Sequence, residues 1–211
     1  MEKTRRALLV VNGELTNEQL NRVGAEQFET IICTDGAAHH LLGLGLEPQV
    51  VVGDLDSLAA AGGELPGSVR RLHRPSQELN DLEKALLYCR EEGFRQVVVV
   101  GVGGGRLDHA LNNLSVLSRY DGTFDLQIHD AYGRIFFVRR RWRARVEPGQ
   151  LISLIPIGRA EGVTTRGLRY PLKNEPLEFG RREGLSNVAE QADVEVTLTR
   201  GLLVLFLILR T

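Results

Sequence analysis

The sequence predicts an α/β N-terminal domain with a mostly parallel, Rossmann-like sheet over residues 1–131, followed by an all-β sandwich domain over residues 132–211. Three observations carry this expectation. Apolar, β-rich runs alternate with segments of helical character in the first part of the chain. That rhythm stops after about residue 131, and the runs beyond it are separated by Pro, Gly and Asn without an amphipathic helix among them. With 211 residues, 43% hydrophobic and 25% charged, the chain can bury one substantial core or two small ones.

Each element follows from its own stretch. The runs "ALLVVN" (7–12), "TIICTD" (30–35), "QVVVGD" (49–54), "VVVVGV" (97–102) and "LQIHD" (126–130) read as strands of a parallel sheet. Between them, "GAAHHLLGLG" (36–45) is made of helix-compatible residues. "DLEKALLYCREEG" (81–93) is the best marked helix: Leu82, Ala85, Leu86 and Cys89 form one apolar stripe. Asn80 with Glu83 three residues later is a capping-box pattern, so this helix should start close to Asn80. The runs at 134–138, 151–157, 163–172, 194–199 and 202–209 read as strands of the second domain. The last, "LLVLFLIL", is about half of what a membrane span needs and reads as a buried strand. "RRRWRAR" (139–145) alternates around Trp142 and Ala144 as a solvated strand or hairpin does.

A formal net charge of -1 argues against a general nucleic-acid or acidic-membrane binder, whose phosphate contacts show as a basic excess. Cys33 and Cys89 are far apart and form no C-x-x-C pair, so a reduced, cytoplasmic protein is expected. The apolar run after the charged N-terminus is too short for a signal peptide.

In an open parallel sheet, ligands bind beyond the carboxyl ends of the strands. The residues there are Asn12 and Gly13, Asp35 and Gly36, Gly53 to Ser57, and "GVGGGRLDHALNN" (101–113). Asp54 and Asp56, two apart on extended chain, would point the same way and share one hard cation. Glu78 and Asp81 lie at the mouth of the capped helix. Asp108 heads the helix after the glycine run, with Asn112 one turn later on the same face. Singly these acids also suit structural roles: Asp108 and Asn80 as helix N-caps, Asp81 in a first helical turn, Asp54 and Asp56 in turns. Gathered at one end of one sheet, beside Gly104, Gly105 and Arg106, they suit Mg²⁺ and nucleotide phosphates, with Arg106 offsetting charge. His109 could equally donate to a phosphate or be a packed surface residue. There is no G-x-x-x-x-G-K-[ST], which excludes a P-loop enzyme.

Taken in order, these segments resemble the thiamine pyrophosphokinase family. The family's Asp-Gly-Gly/Ala is Asp35, Gly36, Ala37; its G-D-x-D-S is Gly53 to Ser57; its G-G-R-x-D-H is Gly104 to His109, followed by Asn112 and Asn113. T-x-G-L-x-[YW]-x-L is Thr165 to Leu172, and G-x-S-N is Gly184 to Asn187. The resemblance covers nearly the whole chain. It implies transfer of the diphosphoryl group of ATP to the hydroxyl of thiamine, giving thiamine diphosphate and AMP. It further implies Mg²⁺ on Asp54, Asp56, Glu78, Asp81 and Asp108, with Asp56, Asp81, Arg106 and Asp108 catalytic. ATP would be held by Asn12, Asp35, Gly36, Asp54, Ser57, Gly104, Gly105, Arg106, His109 and Asn112. Thiamine would meet Tyr170, Ser186 and Asn187 in the second domain. A homodimer with its site at the subunit interface is also implied.

The sequence departs from the family where K-D-x-T-D is expected. It has Gln77, Glu78, Leu79, Asn80 and Asp81 there, and Val188 in place of the acid that follows Ser-Asn in bacterial members. Two other readings therefore stay open. One is a diphosphokinase acting on another alcohol such as a pterin; the other is a catalytically silent nucleotide- or thiamine-binding protein. A dinucleotide oxidoreductase fits least, because the glycines follow a late strand rather than the first.

Overall fold

Runs of Val, Ile and Leu bounded by Gly, Asp and Asn set the framework of the first of two compact units, Met1–Ala131 and Tyr132–Thr211. The computed structural model describes residues 4–61, 64–76 and 78–209. In the first unit, β1 (Arg6–Val10), β2 (Ile31–Thr34), β3 (Val50–Gly53), β4 (Arg70–His73), β5 (Gln96–Val100) and β6 (Asp125–His129) pair in the order β6-β5-β1-β2-β3-β4. Every pair is parallel. β2 and β3 are buried at every residue, and β1 and β5 at all but the first. That is the pattern of strands covered on both faces, and it explains why their sequences do not alternate. β4 is exposed along most of its length and sits at the sheet's edge, so its "RRLH" carries no apolar signal.

The connections are helices: α1 (Asn17–Val23), α2 (Ala38–Gly43), α3 (Asp56–Ala61), α4 (Asp81–Glu91) and α5 (Leu107–Tyr120). α4 begins one residue after Asn80, whose side chain accepts a hydrogen bond from Glu83 N at 2.8 Å. The expected reciprocal half of the capping box is replaced. The Glu83 carboxylate instead takes Arg119 at 2.6 Å and the Tyr120 hydroxyl at 3.2 Å, tying α4 to α5. Leu82, Ala85, Leu86 and Cys89 are all buried, as their spacing predicts. Leu82 and Leu86 each contribute about 2 kcal/mol by leaving water.

Strand order reverses at β1, which has β2 on one side and β5 on the other. The chain leaving β1, β2, β3 and β5 therefore converges at the carboxyl end of the sheet, where such folds form a crevice.

The second unit holds two antiparallel sheets. β12 (Gly184–Val188), β9 (Leu151–Pro156), β14 (Leu203–Ile208) and β7 (Gly133–Val138) pair in that order. β11 (Glu175–Glu178), β10 (Arg159–Arg166), β13 (Asp193–Thr197) and β8 (Arg141–Arg145) form the other sheet. Both contribute to one apolar cluster, with Ile152, Leu154, Leu203 and Leu205 from the first sheet and Val163, Leu177, Val194 and Val196 from the second. No helix occurs among the described residues of this unit. "LLVLFLIL" supplies β14, an inner strand of its sheet. The basic run supplies β8, whose exposure alternates and whose Arg141 and Arg143 pair with Glu195 and Asp193 of β13. No helix among the described residues is long and apolar enough to cross a membrane.

Candidate active site

Three carboxylates from three separate connections meet at the carboxyl end of the parallel sheet. Asp35 follows β2, Asp54 follows β3, and Asp81 opens α4; one oxygen of each lies within 4.8 Å of the others. Asp35 is only 2% exposed. Its Oδ1 accepts from Gly36 N at 2.7 Å, while its Oδ2 is buried without a hydrogen-bond partner, as is the neighbouring Thr34 Oγ1. Gly53 makes room for this carboxyl: a Cβ there would stand 2.7 Å from Asp35 Cγ. Burial first, and then the charge of Asp81, push the Asp35 carboxyl up to about 6. Three hard oxygen donors around an orphaned buried oxygen fit a hard divalent cation such as Mg²⁺.

Lys84 belongs to the same group. Its side chain is 3% exposed, and its Nζ donates to Asp81 Oδ1 at 2.8 Å and lies 3.9 Å from Asp54 Oδ2. Helical patterning does not flag it, because it reads as one more charge on a surface helix. A signal exists all the same: lysine occurs only at positions 3, 84 and 173 of a chain with 26 lysines and arginines.

The extended arrangement expected for Asp54 and Asp56 does not occur. Leu55 takes a positive φ of 68°, Asp56 becomes the first residue of α3, and its N–H turns back to Asp54 Oδ1 at 3.3 Å. Two-residue alternation needs β backbone on both sides, and the left-handed residue between these acids removes it. Asp56 is accordingly outside the group of three, whereas Asp35, expected only as a nucleotide contact, is inside it.

A cavity of about 470 Å³ opens over the cluster. Of the residues expected at the site, it is lined by Asn12, Asp35, Gly36, Asp54, Ser57, Asp81, Asp108, His109 and Asn112. Thr34, Ser76, Lys84 and Asn113 join them. Asp56, Glu78, Gly104, Gly105 and Arg106 are not among its lining residues; Glu78 instead borders a neighbouring cavity with Asn112. Gln77 lies outside the described residues.

The glycine run has a packing reason of its own. Gly104 has a φ of 83°, and a Cβ on it would stand 2.3 Å from Glu14 Cβ; Glu14 N also donates to Gly103 O at 2.7 Å. The loop is thus pressed against the chain leaving β1. The N-cap of α5 is Arg106, without a side-chain cap, and Asp108 is the second helical residue. Arg106 holds Asp108 in a two-pronged pair, Nε to Oδ1 at 3.1 Å and Nη2 to Oδ2 at 2.6 Å. That pairing draws the Asp108 carboxyl down to about 2 and raises Arg106. Asp108 therefore faces the cavity already neutralised, apart from the group of three.

In the second unit, Gly184 to Asn187 form most of β12. Asn187 is 6% exposed, and its amide is committed to the backbone of Tyr170: Oδ1 accepts from Tyr170 N at 3.1 Å and Nδ2 donates to Tyr170 O at 2.8 Å. Tyr170 itself is 64% exposed. Ser186 takes a positive φ of 54°, with its N–H on Ser153 Oγ at 3.0 Å.

The same stretches are those that known proteins share. The profile of the thiamin pyrophosphokinase catalytic domain matches residues 24–128, and that of the thiamin pyrophosphokinase vitamin B1 binding domain matches residues 141–203. The chain belongs to the thiamin pyrophosphokinase family. Thiamine pyrophosphokinase 1 of Arabidopsis thaliana is 28% identical over 95% of this chain and 85% of its own length. The thiamine pyrophosphokinase of Bacillus subtilis is 25% identical over 78% of this chain and 80% of its own. The fold is shared with solved structures: thiamin pyrophosphokinase from Geobacillus thermodenitrificans (TM-score 0.78, 22% identity, 98% of each chain) and from yeast (TM-score 0.79, 17% identity, 99% of this chain and 88% of that one).

Proposed function

We propose that the protein is an ATP:thiamine diphosphotransferase that forms thiamine diphosphate and AMP. The observation that carries this is the convergence of Asp35, Asp54 and Asp81 on one point of a polar cavity, in a chain whose two units match the two domains of this family. The match of residues 141–203 to a vitamin B1 binding domain favours thiamine over a pterin alcohol as acceptor.

On this reading the first unit is the Rossmann-like nucleotide-binding domain and the second a β-sandwich that binds thiamine. Asp35, Asp54 and Asp81 would hold the divalent cation, taken to be Mg²⁺, which when bound would supply positive charge to offset that of the ATP phosphates. Asn12, Gly36, Ser57, His109 and Asn112, all lining the cavity, orient the nucleotide. Arg106 lies at the exposed mouth of α5, where it can turn from Asp108 to a phosphate and neutralise charge developing in the transition state. The thiamine hydroxyl attacks the β-phosphorus, the bond from that phosphorus to the AMP oxygen breaks, and AMP leaves. The hydroxyl proton passes to the Asp81 carboxylate, Asp108 being the weaker acceptor while Arg106 holds it, and a loose transition state asks little of a base.

Tyr170 offers its exposed ring to the cationic thiazolium, and Ser186 and Asn187 shape that surface. Asp56 and Glu78, which do not line the cavity, are left without a cation contact on this reading. The buried, unpaired thiols of Cys33 and Cys89 support a cytoplasmic protein. Leu107 and Leu111, 73% and 58% exposed one turn apart on α5 and each next in sequence to a cavity residue, Asp108 or Asn112, support a homodimer in which a second copy covers this apolar pair. The test is acceptor choice: purified protein with ATP and Mg²⁺ should release AMP with thiamine and not with a hydroxymethyl pterin. Equal or greater release with the pterin would overturn the acceptor.

A further inference from the structure

We propose that Lys84 is a resident counter-ion of the acidic cluster, a positioning residue that holds Asp81 and Asp54 in the absence of the cation and sets how tightly the cation binds. This rests on the reading of the cluster as a divalent-cation site.

Four observations lead to it. A lysine side chain at 3% exposure is rare unless its charge is matched, so position 84 requires an explanation. The match is supplied by Asp81 at 2.8 Å and Asp54 at 3.9 Å, which are two of the three carboxylates that close on one point. The third, Asp35, has no cationic partner among the described residues, and its Oδ2 is orphaned in the interior. Finally, this chain favours arginine elsewhere, with 26 lysines and arginines of which three are lysine. A compact ammonium is a point charge that two carboxylates can share, whereas a guanidinium presents its donors in a fixed planar fork.

The charge count gives the consequence. Three carboxylates and one ammonium leave a double negative charge, which a single divalent cation cancels. Without the ammonium the cation-free cluster carries a further uncompensated negative charge, so the folded protein is less stable. The cluster also attracts a divalent cation more strongly, since the repulsion from a nearby like charge is gone. Lys84 therefore trades cation affinity for a site that stays assembled when empty.

The experiment uses the full chain without nucleotide and with Mn²⁺ alone as probe, titrated by electron paramagnetic resonance. Thermal unfolding is measured with and without the ion. Lys84→Met keeps the length of the side chain and removes the charge. The expected result is Mn²⁺ binding about tenfold tighter than in the wild type, a lower melting temperature without the ion, and a larger rise on adding it. Lys84→Arg, which keeps the charge, should not bind more tightly than the wild type. Unchanged or weaker Mn²⁺ binding by Lys84→Met, when the wild type binds, overturns this inference and leaves the cation site standing. Wild-type protein that binds no Mn²⁺ overturns both. If Lys84→Met does not fold, the wild type itself decides. With side-chain ¹⁵N-lysine labelling, Mg²⁺ should shift the Lys84 ammonium resonance, and a resonance unmoved at saturating Mg²⁺ rules the counter-ion role out.

Discussion

The side-chain amide of Asn113, one turn and a half into α5, donates to the carbonyl of Val102 at 3.1 Å. Asn113 is 9% exposed and lines the cavity, so a buried hydrogen bond pins the glycine loop to the helix that follows it. Asn113→Ala would leave that carbonyl unsatisfied and cost about 1 to 3 kcal/mol. Because the loop and the start of α5 carry Arg106, Asp108 and His109, the KM for ATP should rise as well. Urea unfolding and steady-state kinetics check the two effects together; a stability loss with an unchanged KM would detach the loop from nucleotide binding.

Asp35 shows the opposite balance between stability and function. Its carboxyl is raised from 3.8 to about 6 in the folded protein. Between those values the folded chain holds a proton that the unfolded chain has released. Metal-free stability therefore falls as pH rises through this window, and the loss is complete above about 6. Asp35→Asn should flatten this part of the pH profile and raise metal-free stability at neutral pH by about 1 to 3 kcal/mol, while weakening Mn²⁺ binding. Chemical denaturation across pH, with and without Mn²⁺, measures both.

That balance was only partly legible in the sequence. The start of α4 at Asn80 and its buried stripe follow from local spacing, as do the strands β1, β2, β3 and β5, whose apolar runs end in polar residues. β4 gives no such signal, since an edge strand reading "RRLH" has little surface to bury. The two-residue spacing of Asp54 and Asp56 does not carry their orientation, because a single left-handed residue, Leu55, redirects the chain, and no composition rule foretells a non-glycine at positive φ. Asp35 is legible as a strand-end residue but not as a member of the acidic group, which needs the end of β2 brought to the first turn of α4; Lys84 sits i,i+3 from Asp81, and only its burial against Asp54 separates it from an ordinary surface helix charge.

Asn187 should act through Tyr170 rather than by contact. Both polar ends of its amide are bound to the Tyr170 backbone, so Asn187→Ala frees the segment that presents the ring. The expected outcome is a KM for thiamine raised about tenfold. Combining it with Tyr170→Ala should add little beyond the single Tyr170→Ala change. Fully additive effects would show that the two residues serve thiamine independently.

The two thiols make a simple check on the packing of the first unit. Burial pushes both Cys33 and Cys89 up to about 12. Only about one part in ten thousand of each is thiolate near pH 8, and both are sealed from solvent. Iodoacetamide should leave both unmodified in the native protein and label both in concentrated guanidinium, as read by mass spectrometry.

The cluster of Asp35, Asp54 and Asp81 is the centre on which diphosphoryl transfer from ATP to thiamine depends. The most direct measurement follows AMP and thiamine diphosphate together after mixing the protein with ATP, thiamine and Mg²⁺. The wild type should give the two products in equal amounts, with none after chelation of the metal and a fall of at least about a hundredfold in Asp81→Asn with its fold intact. AMP without thiamine diphosphate, or near wild-type turnover by folded Asp81→Asn, would contradict it.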